Sequence, residues 1–378
     1  MASAQSAPGF GFITKWRIRG TPPIAAHGKA VYVAAANASS QWVQKYTTRG
    51  ALVTQWRVPT NHGKPMRVRG VATDGAGNLY ALTVNYNRGE SEILKYTDRG
   101  RLVDKWDVGM GFIARGIATD EAGNVYVTIA DGNRVEKYSS TGRLLFRFEA
   151  AAPWQIATGA DGVIYTVNPA GVSVYRNDGT FVRSWGSGAA GPEPGAGGLE
   201  VPTAVAVDRA GRVLVTDAGR NERDVKVFTP EGVYAGQIGG PGRGNGRFRF
   251  SPNYLAIDTR GDLYVVSLRT IQKFGEPSSA FSLGGVKLNR RAGTARLTAS
   301  LAGVGKLNVE GEGIRHARRR ASVAGEVWLP IVPNRATKSR LQRTGRATVE
   351  IQVTYTPTTA GNAHPATRST RIALVKTH

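Results

Sequence analysis

The stretch that decides the fold is residues 116–148, GIATDEAGNVYVTIADGNRVEKYSSTGRLLFRF. A short apolar run at 116–119 is followed by an acidic Gly/Asn turn at 120–124, an alternating run at 125–128 and a polar loop. Another run ends in Lys137-Tyr138, and a Ser/Thr/Gly turn leads to a last run ending at Phe148. Four short runs of strand length joined by turn signals read as one antiparallel sheet, not as a helix.

The same stretch recurs along the chain. The Tyr126 position returns as Tyr32, Tyr80, Tyr165, Leu214 and Tyr264. The third run repeats its ending as Lys45-Tyr46, Lys95-Tyr96, Val174-Tyr175, Val227-Phe228 and Lys273-Phe274. Ten residues after each of the first five of these aromatics stands a large apolar residue: Trp56, Trp106, Phe148, Trp185 and Ile238. Self-similarity at this period marks radially repeated sheets.

The sixth repeat departs from the rule, because ten residues after Phe274 the chain reads Gly284. The missing fourth strand stands at the other end of the chain: residues 10–18 end in the same large aromatic, Trp16, with no strands of their own before them. The expected fold is therefore all-β: a six-bladed β-propeller closed by the N-terminal strand and followed by a small β-sandwich. The boundaries are a leader at 1–9, the propeller at 10–276, a linker at 277–282 and the sandwich at 283–378. In the last of these, short alternating runs are separated by Gly, Pro and basic turns, with a single helical turn at 338–343. The Gly/Pro/Ala segment 186–198 and the Gly-rich segment 239–246 read as loops between blades.

Composition sets further bounds. With 378 residues, 48 Gly and 18 Pro, the chain suits turn-rich sheets in two domains. Cysteine is absent, which excludes disulfides, thiolate metal sites and a Cys nucleophile. No apolar run approaches the ~20 residues of a membrane span. The start, MASAQSAPGF, has no apolar signal region but has the Ala/Ser texture that follows a cleavage site. The expectation is a secreted or envelope-associated bacterial protein whose signal peptide has been removed, with a cytoplasmic location as the alternative.

The repeat core, GVATDGAGNLYAL in blade two, GIATDEAGNVYVT in blade three and AVAVDRAGRVLVTDAGRNERDVKVF in blade five, resembles the NHL-repeat family of six-bladed propellers. The likeness grades into gluconolactonase, strictosidine-synthase and virginiamycin B lyase propellers and the peptide-amidating lyases. It also includes non-enzymatic ligand- and RNA-binding propellers. The C-terminal part resembles Ig-like tails of exported bacterial propeller proteins.

Charge is uneven. The chain carries a net +23, and residues 285–378 hold 17 Lys and Arg against four Glu. The densest run is Arg315-His316-Ala317-Arg318-Arg319-Arg320. These arginines are candidates for binding surface anions, and an anionic envelope polymer is the expected partner of the tail. Nucleic acid is disfavoured, since few aromatics interleave with the arginines to stack bases.

In a propeller, ligand sites converge where the lead into each first strand meets the loop between second and third strands. Aligning the repeats puts Thr21, Arg69, Arg115, Trp154, Thr203 and Asn253 at the lead position, with Ala35, Thr83, Ile129, Asn168, Asp217 and Ser267 at the loop position. Arg69 and Arg115 beside Trp154 suit a carboxylate or phosphate, because arginine presents a planar fork of donors. The bland reading is that each merely pairs with a loop acid or lies in solvent.

Lactonase-like propellers hold a divalent ion with carboxylate and amide side chains. That resemblance makes Asn168, Asp217 and Asn253 weak candidate ligands for a cation such as Ca at the channel mouth; the early glutamate of such enzymes has no counterpart here. The five histidines, His27, His62, His316, His364 and His378, offer no propeller cluster of three. The recurrent Asp74, Asp120, Asp208 and Asp258 each stand in an Asp-x-x-Gly turn and read as scaffold. No catalytic residue is assigned. The expected function is a monomeric, exported ligand- or protein-binding module that takes a small anionic ligand. The alternative is a hydrolase or lyase acting at the channel mouth on a small anionic substrate.

Overall fold

The structure is a computed structural model. It describes residues 7, 10–19, 22–36, 40–61, 64–109, 112–159, 162–186, 197–220, 222–276, 281–301, 303–323, 325–358 and 365–377. Most of the leader and of the 186–198 loop, with Thr21, Asn221 and residues 277–280 of the linker, lie outside them. The chain divides into two compact units, Met1–Ala7 with Lys15–Lys273, and Pro8–Thr14 with Phe274–His378.

The first unit is built on six four-stranded antiparallel sheets. Their first strands are Ile24–His27, Arg67–Thr73, Ala114–Thr119, Gln155–Thr158, Pro202–Val207 and Pro252–Ile257. Each packs against the first strand of the next sheet, and the sixth packs against the first, so the ring closes. In the sixth sheet the fourth strand is Gly11–Arg17, hydrogen-bonded beside Thr270–Gly275. The N-terminal strand thus fills the place that the irregular sixth repeat left open.

The sequence pattern follows from position in the ring. Second strands such as Leu79–Asn85 and Val125–Ile129 are buried along their whole length, which explains their continuous apolar runs. Fourth strands such as Leu102–Val108 are mostly exposed; there the repeated Trp106 is half-buried and Val108 is buried. Each indole meets the repeat tyrosine of its own blade edge-on: Trp16 with Tyr264, Trp56 with Tyr32, Trp106 with Tyr80 and Trp185 with Tyr165, at 6.2–6.4 Å between ring centroids.

Polar side chains hold neighbouring blades together. The lysine of the Lys-Tyr ending lies over its own repeat tyrosine and reaches the next blade. Lys45 Nζ donates to Asp98 O at 2.8 Å, Lys95 Nζ to Ser140 O at 2.9 Å, and Lys137 Nζ to Asn177 Oδ1 at 2.6 Å. At the far end of the first strands, Thr119 Oγ1 donates to Thr73 O at 2.8 Å and Thr158 Oγ1 to Thr119 O at 2.7 Å. The turn aspartates cap their own loops. Asp74 accepts from the Ala76 and Asn78 N–H groups and from the Tyr80 hydroxyl, and Asp258 from the Arg260 and Asp262 N–H groups and the Tyr264 hydroxyl.

The second unit is a two-sheet sandwich. One sheet has the order Phe281–Asn289, Thr294–Leu301, Gly325–Ile331; the other has Ala317–Ala321, Gly305–Glu310, Arg346–Pro357, Ala366–Val375. Leu297, Leu329 and Ile331 of the first sheet share one core with Leu307, Val353 and Tyr355 of the second. The helical segment is longer than the single turn expected, running over Arg335–Thr344. Asn334 caps it by accepting the Thr337 N–H, Gly345 ends it at φ 68°, and Leu341 packs inward.

Candidate functional site

The lead positions are β-bulges. Val68 pairs with Thr83 and Gly70 with Leu82, so Arg69 is the extra residue of its strand. Thr203 and Asn253 are extra in the same way, and Arg115-Gly116 occupy the corresponding irregularity of blade three. A bulge leaves one residue out of the ladder and re-aims its side chain, so one register position recurs on several blades as an unpaired, half-buried residue. In blade four Gln155 pairs regularly with Val167, and Trp154 donates its own N–H to Val167 O at 2.8 Å.

The two arginines sit in different surroundings. The Arg115 guanidinium lies 5.9 Å from the Trp154 ring and 3.8 Å from the exposed Asp131 carboxylate. Arg69 has no carboxylate partner among the described residues, and it acts across to the sixth blade. Burial pushes the Tyr254 phenol above its usual pKa, while the Arg69 cation pulls it the other way and Tyr86 adds to the rise. In both arginines Nε is buried without a hydrogen-bond partner. Tyr254 and Tyr86 were not singled out from the sequence; the signal was their place, one residue after a lead position and one residue past a second strand.

The candidate cation ligands are committed to the backbone. Asn168 donates from Nδ2 to Ala151 O at 2.6 Å and accepts at Oδ1 from Ala170 N at 2.8 Å. Asn253 donates to Ser251 O at 3.0 Å. Asp217 is fully buried; its carboxylate accepts from the N–H groups of Glu200, Val201 and Gly219 at 2.9, 2.8 and 3.2 Å. Among the described residues no group of three or more His, Cys, Asp or Glu is placed to hold a metal ion. His62, His364 and His378 lie outside the described residues, and His316 stands 3.3 Å from Glu310.

Asp217 belongs to a buried charge cluster. Lys226, itself buried, lies 3.8 Å from Asp217 and 3.9 Å from Asp224, and it bonds Glu222. Burial pushes the Asp224 carboxyl up to about 7 against the pull of Lys226, with Asp217 and Glu222 adding to the rise. A carboxyl raised on folding stabilises the protein below its unfolded value, near 3.8, and that stability is lost as the pH climbs through about 7. Asp224→Asn should therefore gain on the parent between about pH 5 and pH 7.5, as read by urea midpoints at the two pH values. A constant difference between the two proteins would show that Asp224 is ionised throughout.

In the sandwich, Arg318, Arg319 and Arg320 lie exposed on Ala317–Ala321, an edge strand, and Arg315 lies exposed just before it. Arg319 faces Leu307 in the register and so stands on the core side of the sheet. A charge there blocks pairing of the free edge with another chain, a structural use of the same run.

No known family profile matches the chain, and no curated protein matches it. Among solved structures it is similar to a streptogramin B lyase at 15% identity, covering 71% of this chain and 98% of the other with a TM-score of 0.47. It is similar to virginiamycin B lyase from Staphylococcus aureus at 14% identity, covering 77% and 96%, TM-score 0.48. A gluconolactonase from Xanthomonas campestris aligns at 14% identity over 73% and 99%, TM-score 0.47. Likenesses this distant say nothing of activity.

Proposed function

We propose that the protein is an exported binding module of NHL-repeat type, in which the ring takes a small anionic ligand at its channel mouth. An Ig-like basic sandwich attaches it to an anionic envelope polymer. The observation that carries this reading is the state of Arg69 and Arg115, bulged on neighbouring blades with each Nε buried and unpaired. A planar carboxylate or phosphate is the partner that arginine forks on neighbouring blades would take, through the outer N–H groups of each guanidinium. Trp154 supplies an apolar wall beside Arg115. Asp217, the carboxylate that hydrolase or lyase chemistry would draw on, is fully buried and holds three backbone N–H groups, which supports a scaffold role over a catalytic one.

The test is a thermal-shift series with small dicarboxylates and phosphate monoesters. The parent should be stabilised, and Arg69→Gln with Arg115→Gln should weaken binding by about tenfold or more, since each charged hydrogen bond contributes about 1.5–3 kcal/mol. Equal shifts in parent and variant would remove the channel mouth from consideration.

A further inference from the structure

A second basic site stands on the same rim of the ring, built from residues that the channel mouth does not use. The segment leading into the sixth blade, residues 239–250, GGPGRGNGRFRF, folds back on itself: Phe248 N donates to Gly240 O at 2.8 Å and Gly242 N to Phe248 O at 3.1 Å. The buried Gln272 side chain fixes this fold, donating to Arg247 O at 2.7 Å and accepting from Gly246 N at 2.9 Å. Between the segment, the end of the closing strand and the hairpin Leu268-Arg269 lies a cavity of about 730 Å³.

Six cations line it: Lys15, Arg17, Arg243, Arg247, Arg249 and Arg269. All six are exposed, no carboxylate is among the lining residues, and none of the six is ion-paired among the described residues. Like charges gathered without a counter-charge repel one another, so the arrangement disfavours the empty state and favours an anion. One wall is apolar: Phe250 is exposed, with the Arg249 guanidinium over its ring at 5.1 Å, and Leu268 is exposed beside it. Leu268 also holds φ at 51°, left-handed backbone that a leucine rarely adopts. Strain of this kind gathers at ligand clamps, where the surrounding fold enforces it.

We propose that this cavity binds a small phosphorylated ligand, one with two or more phosphate groups beside a flat or apolar moiety. Its volume is that of a small-molecule site. Five of the six cations are arginines, whose forks match phosphate oxygens two at a time, and the Phe250–Leu268 wall receives the remaining part.

Calorimetric titration of the whole chain at about 0.15 M salt, with tripolyphosphate, ATP and citrate as probes, tests the proposal. Arg243→Gln with Arg269→Gln removes two guanidinium groups that make no hydrogen bond to the protein among the described residues, so the melting temperature should stay at the parent's. The expected result is binding of ATP and tripolyphosphate, ATP the tighter and citrate the weakest. The double variant should weaken both phosphate compounds at this cavity by at least about tenfold, while Arg69→Gln with Arg115→Gln removes at most a separate phosphate-binding step at the channel mouth and leaves the step at this cavity in place. No binding by the parent, equal affinity in the Arg243/Arg269 variant, or a loss confined to the Arg69/Arg115 variant would each overturn the site. Citrate binding as tightly as the phosphate compounds would overturn the phosphate assignment, and tripolyphosphate matching ATP would overturn the apolar wall.

Discussion

Removal of residues 1–20 is expected to lower the melting temperature of the protein by roughly 10 °C or more. The strand Gly11–Arg17 is the outermost of the sixth sheet, and without it Thr270–Gly275 becomes a free edge with unpaired N–H and C=O groups. Trp16 would also leave the core shared by Ile24, Val31, Tyr46, Tyr264 and Val266, at the joint between the sixth and first blades. A large aromatic lost from such a place costs about 3–5 kcal/mol, and each kcal/mol moves the midpoint of a domain this large by about 2–4 °C. Trp16→Ala isolates that share, because the residue belongs to the ring unit. Trp16→Phe should be far milder: the indole N–H is buried without a hydrogen-bond partner, so phenylalanine gives up little beyond size. Calorimetric melting of the three variants decides it, and a truncated protein that melts with its parent would mean that the ring does not depend on this strand.

The ring was legible in the sequence because its determinants repeat. A tyrosine in five of the six second strands, with Leu214 in the other, and a large apolar residue ten residues after five of the third-strand aromatics mark positions in the chain, and position in the chain fixes position in the blade. What the repeat could not convey is how one blade meets the next. Lys45, Lys95 and Lys137 read only as part of a strand ending, yet their ammonium groups tie adjacent blades at 2.8, 2.9 and 2.6 Å. The geometry of the candidate residues was legible only in part. Alignment put Arg69 and Arg115 at one repeat position, because a bulge keeps its place in the repeat. It could not tell that Asn168 and Asp217, at the matching loop position, spend their polar atoms on backbone partners. Nor did it separate the channel mouth from the cavity beside residues 239–250. That segment reads as a Gly-rich loop until Gln272, 25 residues downstream of Arg247, is seen to hold it.

A large single-residue effect is expected at Gly100, and it comes from a contact that recurs around the ring. In the turn between the third and fourth strands of the first five blades, a glycine lies against the large aromatic of the preceding blade. A Cβ on Gly50 would stand 2.5 Å from the Trp16 ring, and one on Gly100 would stand 2.5 Å from Trp56. The corresponding distances are 2.7 Å for Gly142 and Trp106, 2.5 Å for Gly179 and Phe148, and 2.7 Å for Gly232 and Trp185. Gly100→Ala therefore meets two penalties. At φ +84° an alanine is strained by about 1–2 kcal/mol, and its methyl must displace an indole packed between Tyr32 and Tyr96, an overpacking of about 1–3 kcal/mol. Gly261→Ala separates the two, since Gly261 has φ +87° and open space where its Cβ would be. It should cost only the strain, reduced by the entropy that alanine removes from the unfolded chain. Gly100→Ala should then melt roughly 5–10 °C below the parent and several degrees below Gly261→Ala. In the background of Trp56→Ala the gap between the two glycine variants should close, because the ring that the methyl strikes is gone. A gap that persists there would place the cost in the turn itself, and the glycine–aromatic contact would then be a consequence of blade packing instead of one of its causes.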